Sequence, residues 1–283
     1  MIRIKINPNC SWGGMPEANK YMEHLAVRQK QHPVSIDPEY KQYAEEVNSY
    51  GHSKIKNFFQ PDRLLKVKDE FENIKAAGEL QYDDFYTEQV AHPLLTCNSV
   101  FDIAFDDKVI EVAKNYFNCL PAINNVQLRK SKATAIVESK IPGNGQTTLF
   151  HCDKDSPRFL KFFFYLTDVS DNNGPFTYVH ESHIQKFDGW NSRYRWPHEE
   201  IESIYGRDRI KKLKGNVGDV IMANTSGFHK GTKITHGERI LLTIYYGIHP
   251  TEWRDTFGGR MKKSDYDKLP EHKKPLADYL NKV

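Results

Sequence analysis

The sequence predicts a mainly β fold, an antiparallel sandwich or barrel braced by helices on its N-terminal side, and three observations carry that reading. Up to about residue 120 the apolar residues recur mostly at helical spacing. After Pro121 the pattern changes to short segments rich in β-branched and aromatic residues, bounded by Gly, Pro, Asn or Asp. No internal repeat and no low-complexity linker separates the two regimes, so residues 1–283 read as one domain. It has a helical part over about 1–120, a β core over about 121–250 and a C-terminal extension over 251–283. Helices followed by many strands suit a sheet architecture braced from one side.

Taken in order, Asp37-Pro38 supplies an N-cap and first-turn pair for a helix reaching roughly Asn48. Pro61 opens a second helix carrying Leu64, Leu65, Val67, Phe71 and Ile74, closed by Gly78. Asp106 and Asp107 precede a third, with Val109, Ile110, Val112, Ala113, Tyr116 and Phe117 as its apolar stripe. Strands are expected around Val126–Val137, Phe159–Val169, Phe176–Val179, Val220–Ala223 and Arg239–Ile248. The run Phe162-Phe163-Phe164-Tyr165-Leu166 is short for a helix and suits a strand buried on both faces. A helix from Pro197 to Tyr205 interrupts the strands as an insertion.

Composition limits the function classes. Forty basic against 37 acidic residues give a formal charge of +3, so no global attraction to nucleic acid or a membrane surface follows. The N-terminus lacks the apolar core of a signal peptide, and no run of about 18 apolar residues exists to span a membrane. Cys10, Cys97, Cys119 and Cys152 are scattered, which fits reduced thiols in a cytoplasmic protein better than a disulfide framework or zinc ribbon. In that setting the glycosylation acceptors at Asn9 and Asn224 carry little meaning.

His151-Cys152-Asp153 is the first chemical signal. In a strand, residues two apart project to one face with Cα atoms about 6.5 Å apart, so an imidazole and a carboxylate reach one ion while Cys152 points away. That pair suits iron(II), manganese or zinc, with a third ligand from elsewhere. His229 is the choice, because it opens a strand-like region after the turn at Gly218-Asp219 and the segment Val220-Ile221-Met222. With 12 histidines in the chain, a chance His-x-acid pair is nearly expected, and His198-x-Glu200 and His236-x-Glu238 are such pairs. Arg239, ten residues beyond His229, shares a strand face with Leu241, Thr243 and Tyr245. Facing a cavity, its guanidinium would grip a carboxylate through two parallel hydrogen bonds; the plain alternative is a surface salt bridge.

These residues resemble the phytanoyl-CoA dioxygenase family. The likeness lies in His151-Cys152-Asp153, Phe162–Val169, the block Asn173-Gly174-Pro175-Phe176-Thr177-Tyr178-Val179-His180-Glu181-Ser182-His183, and Gly218-Asp219-Val220 followed by His229 and Arg239. It runs from about Ser53 to Gly247. The resemblance implies a double-stranded β-helix, the jelly-roll architecture of cupins. It also implies His151, Asp153 and His229 as ligands of Fe(II), and Arg239 as the residue holding the distal carboxylate of 2-oxoglutarate. O2 and 2-oxoglutarate would be consumed, and succinate and carbon dioxide released, as an aliphatic C–H of a small molecule, anionic or neutral, is hydroxylated. Halogenating relatives replace the carboxylate ligand with a small residue; Asp153 is present, which favours hydroxylation. Where members often carry Ser or Thr two residues after the second His, this chain has Gly231, with Thr232 next as the substitute hydroxyl. Family members often read Pro-Gly-Ser-His where His180-Glu181-Ser182-His183 stands, a change in a structural turn.

Weaker signals surround this core. Gly143–Thr148 reads as a turn before a strand, and Thr148 is a candidate to approach the cosubstrate from a bend. Lys211, Lys212 and Lys214, near Arg207 and Arg209, read as a lysine-protected edge strand, with attraction of an anionic substrate as the functional alternative. The segment Gly189–Trp196 packs Trp190, Arg193, Tyr194, Arg195 and Trp196 into seven residues and is expected to contact or cover the substrate; the alternative is that its tryptophans plug the barrel flank. A cupin-like metalloenzyme that does not use 2-oxoglutarate, and a catalytically silent binding protein on the same fold, remain as competing readings. The first would have no need of Arg239, and the second would usually have lost a ligand.

Overall fold

A computed structural model describes residues 15–84, 87–133, 148–250 and 258–283. In chain order the elements begin with α1 (Met15–Gln31), α2 (Lys41–Tyr50), β1 (His52–Ile55), α3 (Pro61–Ala76), β2 (Leu80–Asp84) and β3 (Thr87–Val90). Then come α4 (Pro93–Thr96), α5 (Asn98–Ala104), α6 (Asp107–Phe117), β4 (Ala122–Lys132), β5 (Leu160–Tyr165), β6 (Phe176–Val179) and α7 (His198–Tyr205). The last are β7 (Ile210–Leu213), β8 (Val220–Ala223), β9 (His229–Gly231), β10 (Glu238–Gly247), β11 (Arg260–Met261), α8 (Lys263–Lys268) and β12 (Asn281–Lys282).

A seven-stranded sheet in the order β1-β8-β5-β10-β4-β3-β2 faces a three-stranded sheet β7-β6-β9. The antiparallel pairing and the two facing sheets make the expected jelly roll. Alternation along the strands sorts the two faces. Phe162, Phe164, Val126, Leu128, Ile240, Leu242 and Ile244 join the large core with the helices, whereas Phe163, Tyr165 and Ile221 meet Phe176 and Tyr178 of the small sheet. Each such apolar side chain, fully buried, contributes about 1.5–3 kcal/mol before entropy is charged against it.

The helices form where capping and spacing demand. In α6, Asp106 accepts from the Lys108 N–H at 2.8 Å, Asn118 closes the far end at φ +55, and the expected stripe is buried. Asp37 caps a 3-10 turn over Pro38–Tyr40 before α2 proper, which runs to Tyr50. In α3, Leu64, Val67 and Phe71 are buried, but Leu65 is turned towards solvent.

Several expectations need correction. The stretch read as helical also contains β1, β2 and β3, which extend the large sheet at both edges, and α1, α4 and α5 were not anticipated. His-Ser-Lys-Ile and Thr-Glu-Gln-Val carry no apolar run or long alternation; they are strands because β8 and β4 offer them hydrogen-bonding edges. β4 begins at Ala122, four residues before its expected start. The end of that expected strand at Val137, the turn residues 143–147, the sequon at Asn9, Cys10 and residues 251–257 of the C-terminal extension lie outside the described residues. Among the described residues, no helix is long and apolar enough to cross a membrane.

Candidate metal centre

His151 and His229 face each other in an antiparallel bridge, each backbone N–H donating to the other's carbonyl at 3.0 and 2.9 Å. The Asp153 N–H donates to Thr225 O at 2.8 Å, so the residues either side of Cys152 are both pinned to the segment leading into β9. The expected strand at His151–Asp153 is thus reduced to a single bridge, yet the two-residue spacing still brings both side chains to one side. One ligand atom from each of His151, Asp153 and His229 lies within 4.8 Å of the others. The Nε2 atom of His229 is 3.6 Å from Asp153 Oδ2, and that of His151 is 4.0 Å from Asp153 Oδ1. Metal bonds of about 2.0–2.2 Å place neighbouring ligands near 3 Å apart, so modest side-chain rotation closes the set.

The remaining nitrogens fix the tautomers. His151 Nδ1 donates to Leu149 O and His229 Nδ1 to Gly227 O, both at 2.9 Å, leaving each Nε2 lone pair directed at the centre. Gly227 is required: a Cβ there would lie 1.9 Å from the Tyr178 hydroxyl oxygen. Burial, and then repulsion from His229, lowers the His151 pKa to about 3, and burial also lowers that of His229. Both imidazoles are therefore neutral and able to bind a metal at ordinary pH. Burial would raise the Asp153 pKa, but the Lys161 ammonium and, at the low pH where they are protonated, the two histidines outweigh it and hold the carboxyl well below its usual range. Two neutral imidazoles and one carboxylate, buried together, fit an iron(II) site with open positions.

Lys161 was not anticipated. Its ammonium sits 2.7 Å from Asp153 Oδ2 and 3.2 Å from Asp155 Oδ2, while the Thr225 hydroxyl donates to the same Asp153 oxygen at 2.6 Å. The attraction of the two carboxylates outweighs burial and raises the lysine pKa. A lysine at an inward position of an otherwise apolar strand was the available signal.

The other expected site residues separate into groups. Tyr194 lies against His151, ring centroids 5.9 Å apart, and the Arg195 charge acts on both histidines. Trp190 and Trp196 are instead buried with Phe150, Cys152, Val179, Ile201 and Phe228, and Arg193 pairs with Glu200 over the Trp196 ring. Arg239 donates to Gly174 O, a carbonyl presented by a turn in which Gly174 holds φ +74. Thr232 shares a 2.6 Å hydrogen bond with Thr177, three residues along from His229, or about 10 Å of strand. The Thr148 hydroxyl is buried and has no hydrogen-bond partner among the described residues. Of the two chance pairs, His198 is taken up by Glu202 within α7 and Glu238 by Lys130; Lys212 and Lys214, on and beside edge strand β7, pair with Asp171.

The family model described as phytanoyl-CoA dioxygenase (PhyH) matches residues 47–240, well over half of the chain. The chain belongs to the phytanoyl-CoA dioxygenase family. No curated protein matches this family member by sequence. Among solved structures, its fold is similar to that of the epimerase SnoN in complex with Fe3+, α-ketoglutarate and nogalamycin RO. The TM-score is 0.59 at 15% identity, covering 74% of this chain and 84% of that one. HygX from Streptomyces hygroscopicus, with nickel, 2-oxoglutarate and hygromycin B bound, gives a TM-score of 0.54 at 17% identity over 75% and 87% of the two chains. EctD from S. alaskensis with bound Fe gives 0.54 at 14% identity over 76% and 80%. At these identities the likeness is one of fold, that of the metal- and 2-oxoglutarate-binding jelly rolls.

Proposed function

We propose that this family member is an Fe(II)- and 2-oxoglutarate-dependent dioxygenase that hydroxylates an aliphatic C–H bond of a small molecule, with succinate and carbon dioxide as co-products. The observation that carries the reading is the convergence of two neutral imidazoles and one ionised carboxylate within 4.8 Å. Iron bound there supplies oxygen activation coupled to decarboxylation of the cosubstrate. His151 and His229 bind through Nε2, oriented by the carbonyls at Leu149 and Gly227. Asp153 offsets one of the two metal charges, so the site keeps a net positive charge that favours a dianionic acid. Arg239, which donates to Gly174 O, would take that acid's distal carboxylate, with Thr232 next to the same Gly174 turn and Thr148 as a further buried hydroxyl.

Hydroxylation is supported by the presence of Asp153, which leaves no vacancy for a halide ligand. Small-molecule chemistry is supported by similar structures that hold nogalamycin RO and hygromycin B. The test is anaerobic addition of iron(II) and 2-oxoglutarate, which should produce the weak visible charge-transfer band of a bidentate complex. Asp153→Ala should abolish the band and succinate formation alike. A band of normal strength in that variant would refute the ligand assignment.

A further inference from the structure

We infer that the substrate is a hydrophilic small molecule rich in hydroxyl and carbonyl groups, and not a fatty-acyl chain, and that it binds along a polar wall built by β3, β4 and β10. The inference rests on the oxygenase reading above and narrows it to a substrate class.

The wall follows from strand register. Leu241 of β10 packs with the cluster between the two sheets, so the β10 face carrying Arg239, Leu241, Thr243 and Tyr245 is the inner one. Residues directly opposite in an antiparallel pair share a face. Arg239 pairs with Ser131, Leu241 with Arg129, Thr243 with Gln127 and Tyr245 with Asn125. One strand further out, Gln89 pairs with Arg129 and Thr87 with Ser131. Every inner position of β4 and β3 in this register is therefore an amide, a hydroxyl or a guanidinium, with no apolar side chain among them.

Exposure marks the middle of the wall, on β4 and β10, as its accessible part. Within the central sheet, the outward residues Val126, Leu128, Ile240, Leu242 and Ile244 are fully buried against the helices. The inward Gln127, Arg129, Ser131, Leu241 and Thr243 are only half-buried, whereas Asn125 and Tyr245 at one end and Thr87 and Gln89 of β3 are buried. The apolar filling between the sheets, Phe163, Phe176, Tyr178 and Ile221, lies under the small sheet and leaves the β3–β4 side uncovered by it. The wall is also partly pre-organised: Arg129 Nε donates to Gln89 Oε1 at 3.2 Å, while the Gln127 amide makes no hydrogen bond among the described residues. At the far end the buried Tyr245 hydroxyl has no partner among the described residues either.

The cosubstrate cannot account for the whole wall. Asn125 to Ser131 spans six residues, about 20 Å of strand. A five-carbon diacid extends only about 6–7 Å. The remainder is a surface of paired donors and acceptors, since each primary amide offers both. Such a surface matches hydroxyls and carbonyls: Arg129 pairs with Gln89 and Thr87 with Ser131, and an alkyl chain laid along the wall would leave the Gln127 amide and the buried Tyr245 hydroxyl without partners among the described residues. Sites built to hydrogen-bond a substrate reject analogues lacking those groups by about 10⁴-fold.

The experiment uses the full chain with iron(II) and 2-oxoglutarate and two probe pools: sugars, amino sugars and polyols in one, acyl-CoA thioesters and free fatty acids of eight to sixteen carbons in the other. Substrate-stimulated succinate formation should rise at least fivefold with members of the first pool and not with the second. Gln127→Leu, at a half-buried position without a hydrogen bond to lose, should lower kcat/KM for the polar probe at least tenfold. Stimulation confined to the acyl pool, or none from the polar pool, would overturn the inference while leaving the oxygenase reading intact. Loss of the 2-oxoglutarate charge-transfer band in Gln127→Leu would assign the wall to the cosubstrate and overturn it too. Absence of the band in the unsubstituted protein would instead remove the oxygenase reading and this inference with it.

Discussion

Replacing Lys161 with methionine keeps most of the side-chain volume and deletes one buried positive charge. That charge lies 2.7 Å from Asp153 and 3.2 Å from Asp155, with the lysine side chain 18% exposed and the carboxylates 15% and 17%. Removing one partner of a buried ion pair leaves an uncompensated charge and costs about 3–5 kcal/mol. Here two carboxylates are left facing each other; burial and then the charge on Asp153 already raise the Asp155 pKa despite the lysine. At about 2–4 °C per kcal/mol for a chain of this size class, the metal-free variant should melt roughly 6–20 °C lower than the parent. A divalent cation at the triad replaces the missing charge, so added metal should recover much of the loss. Its stabilising increment should exceed that in the parent, because the metal no longer competes with an ammonium for Asp153. Melting curves of both proteins, with chelator and with zinc or iron(II), read this directly. Equal losses with and without metal would show that Lys161 acts through packing alone and would refute the electrostatic account.

Three further outcomes are expected. Arg239→Ala removes the guanidinium proposed to hold the distal carboxylate and should weaken 2-oxoglutarate roughly thirtyfold or more, from about 2–5 kcal/mol for one truncated partner of such a pair, while metal affinity changes little; an unchanged Michaelis constant would return Arg239 to a structural tie with Gly174. Trp196→Ala should cost about 3–5 kcal/mol of stability because the ring is buried against Phe187 and Phe228, whereas Tyr194→Ala should leave the melting temperature nearly unchanged and alter substrate-stimulated turnover. Burial, and then repulsion from His180, lowers the His52 pKa to about 3, and burial lowers that of His183 to about 4. Unfolded histidines take protons near 6.5, so their stability contribution is complete above that pH and is lost as pH falls towards 4, by up to about 1.4 kcal/mol per unit for each group. His52→Gln should flatten the fall in melting temperature between pH 6.5 and 5; an unchanged slope would count against the burial account.

What the sequence determined alone was local. Two-residue spacing put His151 and Asp153 on one side, strand alternation put Arg239 on the inner face, and helical spacing named the buried side of α6, because each pattern is set by backbone geometry over a few residues. Tertiary structure decided whatever depends on elements distant in the chain. Only the bridge between His151 and His229 makes the third ligand meet the other two. Only the register of β5 beneath the centre turns Lys161 into a partner of Asp153, and only the packing around Phe228 separates the buried Trp190 and Trp196 from Tyr194 beside the histidine. The polar strands β1 and β3 illustrate the same division. Their residues carry no periodic signal, and they are strands because the edges of β8 and β4 would otherwise be left without hydrogen-bond partners.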